Sequence, residues 1–393
     1  MPLAPAHHAA AQDPDEPEAG PADPGDDEPE TPAAPAHAVI IHIDGGRVMA
    51  GFAGDKAPKV EFPAVVGRPR EGGEPQFGDA ALSDDLQQSW PVELGRIVNV
   101  ADYSLLIGHA LDGLHATGAG QALLLTVASH TPFDQLEQVA KSMFETHQVG
   151  SLFFTRDAVT ALYASGRTTG LVVVGSYDHT GATAIYDGHT IQTDMLEVGE
   201  RQQVEYLAFL LKKRGIPLDS NLRLSRNPAT DIYRKLAFVA DDFDAAEAMA
   251  AEGSHFDQTC ALPGGQQITV GAERYHCAET LFRPTMLGRV LEGIHFLAYG
   301  RAMRCDADLR PTLYANVVLA GNVVTGTAER LTRELTVLVP QAMPVKVAVL
   351  PHAQYGVFEG ASLLAGIDTY RQMWISRADY DASGPAIVKQ KCQ

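Results

Sequence analysis

The chain has 393 residues, 45% of them hydrophobic and 20% charged, and carries a formal net charge of −19. That length suffices for two lobes with sizeable cores, and the balance is that of an ordinary soluble globular protein. The acidity disfavours a nucleic-acid partner, which needs a basic face, and fits basic protein partners or plain solubility. Cys260, Cys277, Cys305 and Cys392 are widely spaced and form no Cys-x-x-Cys pair, so neither a zinc site nor a redox motif is indicated. No apolar run approaches membrane-spanning length and no apolar signal core opens the chain, which reads as cytoplasmic with no membrane association.

Residues 1–36 are Pro, Ala, Asp and Glu with two histidines. They bury too little apolar area to offset ordering entropy and read as a disordered tail. From Ala38 the pattern changes. Ala38–Ile43 reads as a strand, Asp44-Gly45-Gly46 as a turn and Arg47–Phe52 as a returning strand. Residues 102–120 read as a helix ending at a Gly-rich turn, and Gln121–Val127 as a buried strand. Leu136, Val139, Met143 and Phe144 fall at helical spacing in Phe133–His147. Leu171–Val174 is a continuous apolar run, read as a buried strand, and leads into a turn at Gly175–Gly181 rich in Gly, Ser, Thr and Asp. Thr183–Gly188 reads as a further hairpin, and Val204–Arg214 and Thr230–Phe243 as helices.

Several long stretches carry a family resemblance. Leu162-Tyr-Ala-Ser-Gly-Arg-Thr-Thr-Gly170, Ala50-Gly-Phe-Ala-Gly-Asp55 with its continuation to Arg70, Leu281-Phe-Arg-Pro-Thr-Met-Leu-Gly288 and Tyr370-Arg-Gln-Met-Trp-Ile-Ser-Arg377 all resemble actin. So does the closing Asp379-Tyr-Asp-Ala-Ser-Gly-Pro-Ala-Ile-Val-Lys389. The resemblance covers residues 38–393, with motifs in every part. It implies an α/β fold of the actin-like ATPase-domain type: two duplicated lobes, in four subdomains, around a central cleft. The implied boundaries are 37–63, 90–164 and 356–393 for subdomain 1, and 64–89 for subdomain 2. Subdomain 3 takes 165–200 and 290–355, and subdomain 4 takes 201–289. Glu71–Phe77 is markedly shorter than the flexible loop with which this family contacts the next filament subunit.

An actin-type cleft holds phosphates between two glycine-bearing hairpins, one per lobe, because backbone N–H groups must approach the phosphate oxygens. It also needs acids for hydrated Mg²⁺ and a lysine as counter-charge. The resemblance implies that this chain departs from that pattern. His42 stands at the family's strand-end Asp and Met49 at its phosphate Lys; a two-residue deletion would let Asp44 serve as the Asp, still without the Lys. Val174 and Tyr177 stand at two further Asp positions, Gly181 at a His that helps position water, and Asp157 at the water-positioning Gln. Asp178 and His179 are one or two places out of register. On the nucleoside side, Tyr233 and Arg234 replace a Lys-Glu pair, Thr230 an Arg and Gln354 a Lys. Gly321 is kept, but Asn322 replaces the second glycine of its turn. Asp44, Gly45, Gly46, Asp157, Asp178 and Gly321 are therefore expected to line a vestigial or altered nucleotide cleft. His42, Asp44, Asp157, Asp178 and His179 would be either polar lining of a wet cleft or a new site. No cofactor is expected, and ATP with Mg²⁺ only in an altered mode.

The groove in which this family receives helices of partner proteins is better kept: Tyr163, Gly166, Thr168, Leu364, Ile367, Thr369 and Met373 match. These residues either form a floor for an amphipathic helix or simply pack a subdomain interface. The implied function is that of an actin-like cytoskeletal protein acting through protein contacts, as a divergent filament subunit or a scaffold, with little or no ATP hydrolysis. The alternative is a polymerising ATPase that binds nucleotide in an altered mode. Expected partners are further copies of the chain or helix-presenting proteins.

Overall fold

Strand β1 (Val39–Ile43) is buried along its whole length and pairs with β2 (Arg47–Phe52) through the expected tight turn. The computed structural model to which they belong describes residues 38–216, 218, 228–262 and 265–392. The expected disordered tail, residues 1–36, lies outside the described residues. After β2 come β3 (Val60–Pro63), β4 (Val66–Pro69), β5 (Gln76–Phe77), β6 (Leu86–Ser89), β7 (Val92–Glu93) and β8 (Arg96–Ile97). Then follow α1 (Val100–Gly113), β9 (Ala122–Val127), α2 (Phe133–Glu145), β10 (Ser151–Arg156) and α3 (Asp157–Ala164). The second half continues with β11 (Gly170–Gly175), β12 (Thr180–Tyr186), β13 (His189–Leu196), α4 (Glu200–Lys213), α5 (Pro228–Leu236) and α6 (Phe243–Glu252). Next are β14 (Gln258–Ala261), β15 (Gln267–Val270), α7 (Glu273–Glu279), α8 (Ile294–Met303) and α9 (Arg310–Ala315). The chain closes with β16 (Val317–Gly321), α10 (Thr327–Leu338), β17 (Val347–Val349), α11 (Gly356–Ala365), β18 (Ile375–Ser376) and α12 (Arg377–Ser383).

Two sheets repeat one plan. The first runs β18-β10-β9-β1-β2-β3 and the second β13-β12-β11-β16-β17. In each, an antiparallel hairpin (β1–β2, β11–β12) is followed by strands that join its first member in parallel (β9 and β10, β16 and β17). A helix carries each parallel crossover, α2 and α10. Strands buried on both faces need continuous apolar runs, which Leu123-Leu124-Leu125 and Leu171–Val174 supply. The first sheet packs on Leu106 and Ile107 of α1 and on Met143 and Phe144 of α2. The second packs on Ile294 and Ala298 of α8 and on Leu331 and Leu335 of α10.

One expected helix is broken. Thr230–Phe243 is the end of α5 and the start of α6, with an extended link between them. There the Phe238 N–H donates to Arg274 O and the Val239 N–H to Thr325 O, so the backbone takes long-range partners in place of helical ones. Asp242 then caps α6, its side chain accepting from the Ala245 N–H at 3.0 Å. Helix α1 also ends earlier than expected, at Gly113.

Helices α3 and α11 cross at Gly360, where an added Cβ would lie well inside contact with the Thr160 carbonyl oxygen. The small sheet β5-β4-β6 is joined by a short turn in which Gly72 and Gly73 take positive φ. It is pinned to α1 by His109, which stacks on Phe77 at 4.6 Å and meets Phe62 edge-on at 4.8 Å.

Candidate functional site

The first turn is closed by its own aspartate. Asp44 Oδ1 accepts from the Gly46 N–H at 2.9 Å and the Arg47 N–H at 2.7 Å, an Asx-type turn. Gly45 sits at φ +86°, which suits glycine. At Gly46 the constraint is space: a Cβ there would be 2.7 Å from the Tyr177 ring. Tyr177 is buried, stacks on Trp90 at 6.3 Å and shares a small apolar cluster with Val65, Ala81 and Leu82. The second turn thus lies directly on the first.

The carboxylates at this end already hold partners. Asp157, at the start of α3, accepts from the Ser129 N–H, the Ser129 hydroxyl and the Ala158 N–H through one oxygen, at 2.9, 2.6 and 2.7 Å. Asp178 accepts from the Leu94 N–H at 2.6 Å and lies 2.9 Å from His179 Nδ1. Burial by itself would raise the Asp178 carboxyl, but the bond and charge of His179 and the Leu94 N–H hold it below the usual range. His42 Nδ1 is 2.6 Å from the Thr126 hydroxyl, and burial pushes its pKa down against the pull of Asp44 and Asp157. His130 Nε2 donates to Leu94 O at 2.7 Å and meets the His179 ring edge-on at 5.0 Å. Burial, then the neighbouring His179, lowers His130 as well.

Among these groups remains a void of about 10 Å³, lined by His42, Asp44, Asp157, Ser176 and His179 among others. That is room for about one water molecule. The structure therefore brings His42, Asp44, Asp157, Asp178 and His179 to one place. One oxygen each of Asp44 and Asp157 and both of Asp178 are engaged by backbone or neighbouring side chains, while Asp44 Oδ2 and Asp157 Oδ2 make no hydrogen bond among the described residues. Among the described residues no three His, Cys, Asp or Glu side chains are grouped so as to hold a metal ion.

The other end of the cleft is open. Strands β11 and β16 end side by side, with Gly321 at φ +78° and no room for a Cβ against Gly175 O. The Asn322 N–H donates to that oxygen at 2.7 Å. Beyond lies a cavity of about 400 Å³ bordered by Arg47, Glu200, Arg234, Lys235, Asn322 and Gln354 among others. Arg47 leaves β2 to donate to Glu61 at 2.8 Å and to Asn322 Oδ1 at 3.0 Å. Arg234 donates through Nε to Glu200 at 2.6 Å, and the Tyr233 hydroxyl donates to Gln203 at 2.6 Å.

This arrangement, two repeated sheets whose hairpin turns face each other across a cleft, agrees with the family comparison. The family model described as Actin matches residues 33–231 and 224–393. The chain belongs to the actin family. Its fold is therefore the two-lobed actin-like one, and no helix among the described residues is long and apolar enough to cross a membrane.

The actin-type partner groove is only partly a surface. Tyr163 and Met373 are half-buried, and Gly166, at φ +73°, and Thr168 are exposed. Leu364 is a correction: it is fully buried in α11, so it packs the interior and offers a partner nothing. Ile367 is 36% exposed, and the Thr369 side chain lies outside what is described. Tyr370 donates its hydroxyl to Tyr163 at 2.6 Å across the groove. A cavity of about 90 Å³ lies beside it, lined by Phe153, Val159, Thr190, Tyr370, Met373 and Cys392 among others. The Arg289 tip of the Arg283–Ile294 loop turns back to Glu197, and Val290 beside it is 99% exposed.

Reading the sequence missed Leu94, His130 and Ser129, the residues that fasten Asp178, His179 and Asp157. Their partners are distant in the chain, so periodicity carried no signal for them. Leu94 had one local clue, its place in the Glu93-Leu94-Gly95 turn, where it adopts φ +48°.

Proposed function

We propose that this actin-family chain works through protein contacts, as a divergent filament subunit or a scaffold, with little or no conventional ATP hydrolysis. The observation that carries the reading is Tyr177 lying on Gly46, its ring 2.7 Å from where a Cβ at Gly46 would stand. A triphosphate needs bare glycine N–H groups there, acids free to hold Mg²⁺ and a counter-charge. Instead an aromatic ring covers the first turn, Asp44, Asp157 and Asp178 accept N–H groups, and Met49 is a fully apolar core residue. These residues do not fit Mg²⁺ and a phosphate chain, so no hydrolytic step is assigned to them. Further copies of the chain and helix-presenting proteins are the partners proposed, at a cytoplasmic location; nucleic acid is disfavoured by the net charge of −19.

The test is phosphate release from Mg·ATP by the purified chain, together with pelleting and electron microscopy with and without nucleotide. No release above a protein-free control, and assembly indifferent to ATP, is the expected result. Turnover lost on Asp157→Asn, or filaments formed only with ATP, would defeat the reading. The 400 Å³ cavity favours a second reading, in which nucleotide binds in an altered mode and drives polymerisation.

A further inference from the structure

Beside Tyr370 the chain holds a cation whose charge no carboxylate meets at close range. Arg156, the last residue of β10, makes two hydrogen bonds among the described residues, both through Nη1, to the carbonyls of Ala128 at 3.3 Å and Thr131 at 2.9 Å. Its guanidinium lies over the Phe133 ring at 5.0 Å. Nε and Nη2 keep their donor capacity. Asp157 acts on Arg156 only at longer range, and burial lowers the Arg156 pKa. Burial also pushes the Cys392 thiol up to about 11, so that neighbour stays neutral and supplies no counter-charge. A buried cation without a partner costs free energy that an anion would recover.

Arg156 borders the cavity of about 90 Å³, against about 10 Å³ at the closed end of the cleft. The larger cavity has room for a small organic group rather than a single water. Phe153, Val159 and Met373 give it apolar walls. Thr155 lines it too, on the same face of β10 as Phe153, whose ring tilts against Tyr370 at 6.1 Å. Thr155 is 6% exposed, and its hydroxyl has no hydrogen-bond partner among the described residues. A cation, a free hydroxyl and apolar walls in one concavity suit a carboxylate on a short aliphatic stem.

We propose that this cavity binds such a group, supplied by a free monocarboxylic acid or by the glutamate side chain of a partner. Arg156 and Thr155 border it from β10 of the first sheet, His189 and Thr190 from β13 of the second. A ligand there touches both repeats. The inference goes beyond the reading above, because it assigns a recognised chemical group and holds whether or not ATP is hydrolysed.

The experiment titrates the full chain with butyrate, and with butyramide as a neutral control of the same shape, following the methyl NMR signal of Met373. Butyrate is expected to shift that signal where butyramide does not. Arg156→Gln should weaken butyrate binding by about tenfold or more. Thr190 is exposed, so Thr190→Glu should melt like the parent. Its added carboxylate at the rim should repel butyrate and weaken binding likewise, which serves if Arg156→Gln unfolds. Displayed amphipathic helices carrying Glu or Gln at one anchor position tell the sources apart. Retention of Glu over Gln, lost in Thr190→Glu, marks a partner's side chain; butyrate binding with no such preference marks a free acid. No shift with butyrate, a shift equalled by butyramide, or an affinity unchanged in Thr190→Glu would each overturn the proposal. Helices retained without any butyrate binding would overturn it and leave the protein-contact reading standing. Phosphate release from ATP would defeat that reading and leave this one.

Discussion

Asp178 holds the Leu94 peptide: its Oδ2 accepts the Leu94 N–H at 2.6 Å while His130 binds the Leu94 carbonyl from the other side. Leu94 sits at φ +48°, a conformation that costs a side-chain-bearing residue about 1–2 kcal/mol. The strain persists because both ends of the peptide are fastened. Asp178 follows β11 and Leu94 follows β7, so this one bond joins the two halves of the cleft.

Removing the clamp should cost stability. Asp178→Ala leaves a half-buried N–H without its acceptor, and about 1–3 kcal/mol is expected from denaturant titration. Asp178→Asn keeps an acceptor oxygen and should lose less. If the two variants unfold at the same denaturant concentration, the Leu94 bond is not what Asp178 supplies.

The contact between Gly46 and Tyr177 makes a paired prediction. Gly46→Ala alone should destabilise by about 1–3 kcal/mol, because the new methyl meets a packed ring. In a Tyr177→Ala background the same methyl has space, so its cost should largely vanish. Additive losses in the double variant would show that Gly46 is constrained by something other than the ring.

Acid should weaken the fold in two steps. His42 and His130 have lowered pKa values, by burial first, so the unfolded chain takes up protons that the folded chain resists. Their stabilisation is complete above the unfolded value of about 6.5 and is lost as pH falls from there toward the folded values. Asp178, also lowered, adds a second loss in the more acidic range below its unfolded value of about 3.9. Urea unfolding at a series of pH values reads both, and a flat stability from about pH 7.5 to 5.5 would contradict the histidine step.

Gly360→Ala should be among the most damaging single changes. The added Cβ strikes the Thr160 backbone carbonyl, which cannot rotate away as a side chain would. A loss above about 3 kcal/mol, or failure to fold, is expected. A variant that melts like the parent would mean that α3 and α11 can separate without penalty.

The sequence made the framework legible because its signals are local. Leu171–Val174 and Gln121–Val127 are apolar runs long enough for buried strands, and Asp44-Gly45-Gly46 carries its own turn chemistry. The helix across Thr230–Phe243 was misread because the extended link around Phe238 is held by Arg274 and Thr325, far away in the chain. The family resemblance brought Asp44, Asp157 and Asp178 to one cleft. What it did not convey is that these acids accept N–H groups, since Ser129 and Leu94 reach them only in the folded chain. Leu364 went astray for a related reason: matching a groove position does not say which way a helical side chain points.

Helix α3 is fastened at both ends. Asp157 at its start is tied to Ser129 in the cleft, and Tyr163, six residues or about 9 Å along, is tied to Tyr370 in the groove. It is therefore a strut between the two places. A strut whose inner end cannot shift gives the outer end one setting. Under the function proposed above, a partner docking in the groove would meet one face of that strut throughout.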